Sequence, residues 1–102
     1  MQKESQFQKE LIKDLYARLG EDTVILKNDA CYIQGIPDLL ILSGDKWAAL
    51  EVKRSKTSKH QPNQDHYVQK LDGMSYAAFI YPENKKDILD ELQSALRPSR
   101  SA

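Results

Sequence analysis

Apolar side chains recur at Phe7, Leu11, Leu15 and Leu19, with Ile12 beside them, a four-residue spacing that lines one side of a helix. The pattern predicts an amphipathic helix over residues 5–19, opened by a Ser5–Gln8 capping box and stopped at Gly20. Thr-Val-Ile-Leu-Lys at 23–27 predicts a strand, and 28–35 a connecting loop. The runs 39–42 and 47–53 flank Gly44-Asp45, a Gly-first dipeptide suited to a two-residue hairpin turn. Residues 54–61 form a polar, basic loop. Pro62 opens a second helix that carries Tyr67, Val68 and Leu71 and ends at Gly73. Residues 75–81, with Tyr76, Phe79 and Tyr81, predict a further strand packed in the sheet. Asn84 and Asp87 are placed to cap a last helix whose Ile88, Leu89, Leu92 and Leu96 face the core. The order is αβββαβα. Trp47 falls at a strand start, as core or rim, and Cys31 reads as a small core residue.

Length limits this pattern to one domain, assigned to residues 1–96, followed by a loose tail at 97–102. A chain of 102 residues builds one modest core and no enclosed cavity, so any site should be shallow and open. No apolar run reaches the ~20 residues of a membrane span. The polar N-terminal stretch and the lone cysteine lead us to expect a cytoplasmic protein. Fifteen basic and fifteen acidic side chains cancel overall, but not regionally. Residues 1–45 hold five basic and eight acidic groups, whereas 46–70 hold six and two, and the stretch from Val52 to Gln64 contains no acid. A solvated charged loop would look the same. Equally, a phosphate backbone would lie along such a loop, over Arg54, Lys56, Lys59 and His60.

The hairpin carries the candidate chemistry. A turn centred on Gly44-Asp45 sets Ser43 opposite Lys46 and, carried back, Asp38 opposite Glu51, with Lys53 on the same face. Two facing carboxylates repel unless something compensates, and a divalent cation with oxygen ligands, Mg2+ above all, does so. A one-residue slip would send the groups to opposite faces and leave Glu51 and Lys53 as ordinary polar residues at a strand end.

Gly35-Ile36-Pro37-Asp38 followed by Glu51-Val52-Lys53 resembles the signature of the PD-(D/E)XK nucleases, and the αβββαβ order resembles their core. The closer likeness is to the compact branch that includes the VRR-NUC domains and the archaeal-type Holliday junction resolvases, which share a Gly-x-Pro-Asp-Leu strand start. Pro62-Asn63-Gln64, followed by Leu71 and Gly73, looks like the helix start that follows the Glu-x-Lys strand in VRR-NUC proteins. The likeness spans residues 4–81.

The resemblance implies a restriction-endonuclease-like α/β core, a mixed sheet flanked by helices. It implies a metal site made by Asp38, Glu51 and the Val52 carbonyl, with Lys53 beside the scissile phosphate and Gln64 holding a phosphate or water. A glutamate of the first helix usually completes such a site. Glu4 and Glu10 compete, and the helical angle favours Glu4, which lies near the Phe7–Leu11–Leu15 stripe. The implied activity is Mg2+-dependent hydrolysis of DNA, with Mn2+ able to substitute. Lacking a base-reading helix, the chain should select DNA shape, such as a branch or junction, over sequence. A homodimer and a phage or bacterial origin are further implications. The rival reading is a nucleic-acid-binding protein that keeps the scaffold without turnover, against which Asp38, Glu51 and Lys53 are all intact.

Overall fold

A computed structural model describes residues 2–29 and 31–97. The elements run α1 (Glu4–Leu19), β1 (Thr23–Lys27), β2 (Leu39–Ser43), β3 (Lys46–Val52), α2 (Pro62–Met74), β4 (Tyr76–Ile80), a short 3-10 turn (Pro82–Asn84) and α3 (Lys85–Ala95). Four strands form one sheet in the order β1-β2-β3-β4. The first three pair antiparallel, and β4 lies parallel to β3, so the sheet is mixed. A parallel neighbour needs a crossover, and α2 supplies it. The chain has an α/β fold, and no helix among the described residues is long and apolar enough to cross a membrane.

Side-chain alternation divides the sheet. Leu39 and Ile41 of β2 with Ala48, Leu50 and Val52 of β3 face Phe7, Leu11 and Leu15 of α1 and Leu89 and Leu92 of α3, forming the main core. The opposite face packs Ala49, Ala77 and Val68 with Trp47, Leu71 and Phe79 under α2. Because Glu51 and Lys53 share parity with Ala49, they point to the α2 side. Helix α2 packs on β3 and β4, and Val24, Leu26 and Leu42 are left exposed.

The hairpin turn is the two-residue one, with Ser43 paired to Lys46. Gly44 takes φ +60°, as a Gly-first turn requires, and among the described residues no non-glycine has a positive φ. Four local expectations need correction. Helix α1 starts at Glu4 with Lys3 before it and no side-chain cap, so Ser5 lies inside the first turn and the Ser5–Gln8 box does not form. Helix α2 runs one residue past Gly73 to Met74, and Ser75 N donates to Leu71 O at 2.9 Å. Asn84 does not cap α3 through its side chain. Its Oδ1 accepts from Tyr81 N at 2.9 Å and its Nδ2 donates to Phe79 O at 3.1 Å, so the amide ties the end of β4 to the 3-10 turn. Cys31 is exposed, not core, because its loop is folded on itself by Cys31 N donating to Asp29 Oδ1 at 2.8 Å. The expected tail, apart from Arg97, lies outside the described residues.

Candidate active site

The paired register ends at Leu39–Leu50, and Asp38 and Glu51 are the next residues beyond it. Asp38 Oδ2 accepts from Val52 N at 2.8 Å, which holds the aspartate against the backbone of β3. Glu51 is 3% exposed and Lys53 7%. Ionisable side chains are almost never buried this fully unless paired. Their partner is Gln64, the third residue of α2. Its Nε2 donates to Glu51 Oε2 at 3.1 Å, and its Oε1 accepts from Lys53 Nζ at 2.7 Å and from Gln61 N at 3.0 Å. Lys53 Nζ also donates to Lys59 O at 3.1 Å. The Gln64 amide thus orients both Glu51 and Lys53, and one of its two Nε2 hydrogens has no protein acceptor assigned, which leaves a donor for a phosphate or water.

One atom of this network is left over. Glu51 Oε1 is buried without a hydrogen-bond partner, and a buried carboxylate oxygen with no partner is costly. Burial pushes the Glu51 carboxyl up to about 8, helped by the charge of Asp38, to which only a protonated Glu51 could donate a hydrogen bond, and opposed by Lys53. A divalent cation would relieve both the orphaned oxygen and the carboxylate repulsion, and an all-oxygen donor pair suits Mg2+. Among the described residues no three His, Cys, Asp or Glu side chains come close enough to hold a metal by themselves. The pair would need backbone or water oxygens to complete the shell.

Glu4 and Glu10 part company here. Burial raises the Glu4 carboxyl above its ordinary value, and the nearby Asp38 raises it further, while Lys53 and Arg54 pull it down, so Glu4 is within electrostatic reach of the site. Glu10 instead accepts from Gln2 Nε2 at 2.7 Å. Glu4 also lines an open cleft of about 450 Å3 with Lys3, Arg54, Ser58 and Lys59. Arg54 and Lys59 of the predicted basic loop thus share one pocket. Lys56 lies apart from it, with its backbone N donating to Glu83 Oε1 at 3.1 Å. His60 stacks on Phe79 with ring centroids 3.9 Å apart and shares its Nδ1 with Asp65 Oδ1 at 3.0 Å. Lys3 and Ser58 escaped the sequence reading, since neither belongs to a motif.

Replacing Gln64 by alanine strips a partner from both Glu51 Oε2 and Lys53 Nζ. Removing such an outer partner of a metal ligand typically costs 10–100-fold in metal affinity or activity. If Asp38 and Glu51 hold Mg2+ for phosphodiester cutting, Gln64→Ala is expected to raise the Mg2+ concentration for half-maximal cutting by about 10–100-fold, read from a Mg2+ titration of cleavage rate.

No family model matches this sequence, and no curated protein matches it. Among solved structures, the chain is similar to Hjc of Archaeoglobus fulgidus, a Holliday junction resolvase from an archaeal hyperthermophile. The TM-score is 0.52 at 16% identity, over 76% of this chain and 67% of that one. The four-stranded mixed sheet and its three helices form a restriction-endonuclease-like α/β fold.

Proposed function

We propose that this protein is a Mg2+-dependent nuclease that hydrolyses DNA phosphodiester bonds and selects branched or junction DNA by shape, acting as a homodimer through a single nuclease-like domain of residues 1–96. The observation that carries the reading is the buried, partnerless Glu51 Oε1 beside Asp38, an arrangement that a cation completes. The resolvase fold supports it. Asp38 and Glu51 hold the metal, with the Val52 carbonyl beside them and Glu4 within electrostatic reach. Mg2+, or Mn2+ in its place, when bound stabilises charge on the phosphoryl oxygens and lowers the pKa of water. Lys53 either neutralises charge growing on those oxygens or takes a proton from the attacking water. Gln64 fixes both Glu51 and Lys53 before substrate arrives. Arg54 and Lys59, with Lys3 and Ser58, receive the flanking phosphates, and Lys56 and His60 extend the basic surface. Two strands must be cut to resolve a junction, and two copies supply two sites.

Incubation with supercoiled plasmid, linear duplex and a four-way junction, in Mg2+, Mn2+ or chelator, tests the reading. The expected result is metal-dependent nicking of the plasmid and fastest cutting of the junction. Binding without cutting under either metal would replace the enzyme with a non-catalytic DNA-binding scaffold. Neither binding nor cutting would sink both.

A further inference from the structure

We propose that the cleft between the 31–36 loop and the first turn of α2 receives one nucleobase, turned out of the DNA stack beside the phosphate that is cut. The inference rests on the nuclease reading and deepens it. The cleft measures about 420 Å3 and is lined by Gln34, Gly35, Gln61, Pro62, Asn63 and Gln64, within the size range of small-ligand pockets. No lining residue is charged, so it lacks the cations that draw a phosphate backbone. Side-chain amides offer donors and acceptors together, the same mixture that a base edge presents. The cationic cleft of Lys3, Arg54 and Lys59 has the opposite character and suits the backbone.

Position links the cleft to the chemistry. Gln64 lines it and also donates to Glu51 Oε2, so an occupant lies one side chain away from the carboxylate pair. The wall is firm, because Gly35 sits so close to Asn63 that a Cβ at Gly35 would come within 2.7 Å of the Asn63 carbonyl carbon. Just before Gln34 the same loop presents Tyr32, 85% exposed, and Ile33. Backbone bonds set their turns, Tyr32 N to Asp29 O at 3.0 Å and Ile36 N to Ile33 O at 3.3 Å. An exposed aromatic on a loop fixed in this way is a surface on which a base stacks, and apolar side chains fill the gap that an extruded base leaves. A side-chain amide turned over exchanges its donor and acceptor, and any base stacks on an aromatic face, so selection by sequence is weak here. It selects DNA that unpairs at low cost. Extrusion is cheapest where pairing is already broken, which gives a shape-selective enzyme a local reason to act at a branch.

Four-way junctions carrying 2-aminopurine at successive positions around the cut site provide the test, with fluorescence followed in chelator and again on adding Mg2+. The expected result is a several-fold rise at one position adjacent to the cut. Tyr32→Ala and Gln34→Leu, at residues of an exposed loop, should leave the melting temperature unchanged. Each should reduce both the rise and the cutting rate about tenfold, in keeping with the loss of one base–aromatic or base–amide contact. Metal-dependent cutting by the wild type with no rise at any position, or a rise and a rate that both variants leave within twofold, overturns the inference and leaves the nuclease standing. No binding and no cutting by the wild type overturns both.

Discussion

Glu51→Gln is expected to lower metal-dependent cutting by at least about a thousandfold, equivalent to roughly 4 kcal/mol of lost transition-state stabilisation. The same variant is expected to melt higher than the wild type in chelator at pH 8. The two effects share one cause. Glu51 Oε1 is buried without a partner, and the second oxygen is held by Gln64. An amide keeps the shape and can still meet the Asp38 carboxylate with a donor, but it cannot supply a charged ligand. It therefore removes the repulsion together with the metal. Asp38→Ala and Lys53→Ala should also abolish cutting, yet neither should stabilise the metal-free protein in the same way. Lys53→Ala leaves Glu51 buried without its compensating charge. Paired measurements of cleavage rate and melting temperature separate a cation-holding carboxylate from a buried structural one: a variant that stays active, or is equally destabilised at every pH, sinks the metal reading.

The direction of the pH dependence follows from the same group. In the unfolded chain a glutamate titrates near its ordinary value of about 4.3, while in the folded, metal-free protein Glu51 is raised to about 8. Between those values the unfolded chain has released a proton that the folded one retains. Raising the pH therefore favours unfolding over that window, and the stabilisation from protonated Glu51 is fully present below about pH 4.3 and lost by about pH 8. The melting temperature in chelator should fall across this window by more than that of Glu51→Gln. Because a cation must displace the proton, the Mg2+ concentration needed for half-maximal cutting should fall as the pH rises toward 8. Equal pH profiles for wild type and Glu51→Gln in chelator would remove the premise.

The sheet was legible because its parts obey local rules. The two-residue turn needs φ above zero at its first position, and Gly44 provides it; register then propagates along the strands to Leu39 opposite Leu50, one residue short of Asp38 and Glu51. The apolar stripe of α1 and the parity of β3 fixed which side chains reach the core. What failed was decided by tertiary competition for polar atoms. Asn84 had a cap position and a capping side chain, but Tyr81 N and Phe79 O claimed it. Cys31 was placed in the core by residue type alone, and the loop around Asp29 turns it outward. The protein partners of Gln64 were not legible either, since only the packing of α2 on β3 brings its amide between Glu51 and Lys53. Lys3 joins Arg54 and Lys59 across most of the domain in sequence, which no local pattern encodes.

Gly35→Ala is expected to destabilise the fold by about 2–5 kcal/mol, combining left-handed backbone strain with overpacking. The residue adopts φ +89°, and a methyl group there would meet Asn63 Cβ, with the Asn63 carbonyl carbon at 2.7 Å and its oxygen at 2.9 Å. Two of those three atoms are backbone in the first turn of α2, so no side-chain rotation relieves the clash. Either the loop or the helix must move. Gly20 supplies the control, because it has φ +88° with open space around it, and Gly20→Ala therefore carries the strain without the clash. At about 4–8 °C per kcal/mol for a domain of this size, Gly35→Ala should melt roughly 8–40 °C below the wild type, and Gly20→Ala by less than half as much as Gly35→Ala. The functional consequence goes further than stability. Asn63 adjoins Gln64, so displacing the start of α2 pulls the amide from between Glu51 and Lys53. Cutting by Gly35→Ala should fall even well below its melting temperature, with a higher Mg2+ requirement resembling that of Gln64→Ala. If Gly35→Ala were unstable but fully active when folded, the glycine would serve the loop alone, and the coupling of the Gly-x-Pro-Asp turn to the α2 amide would be wrong.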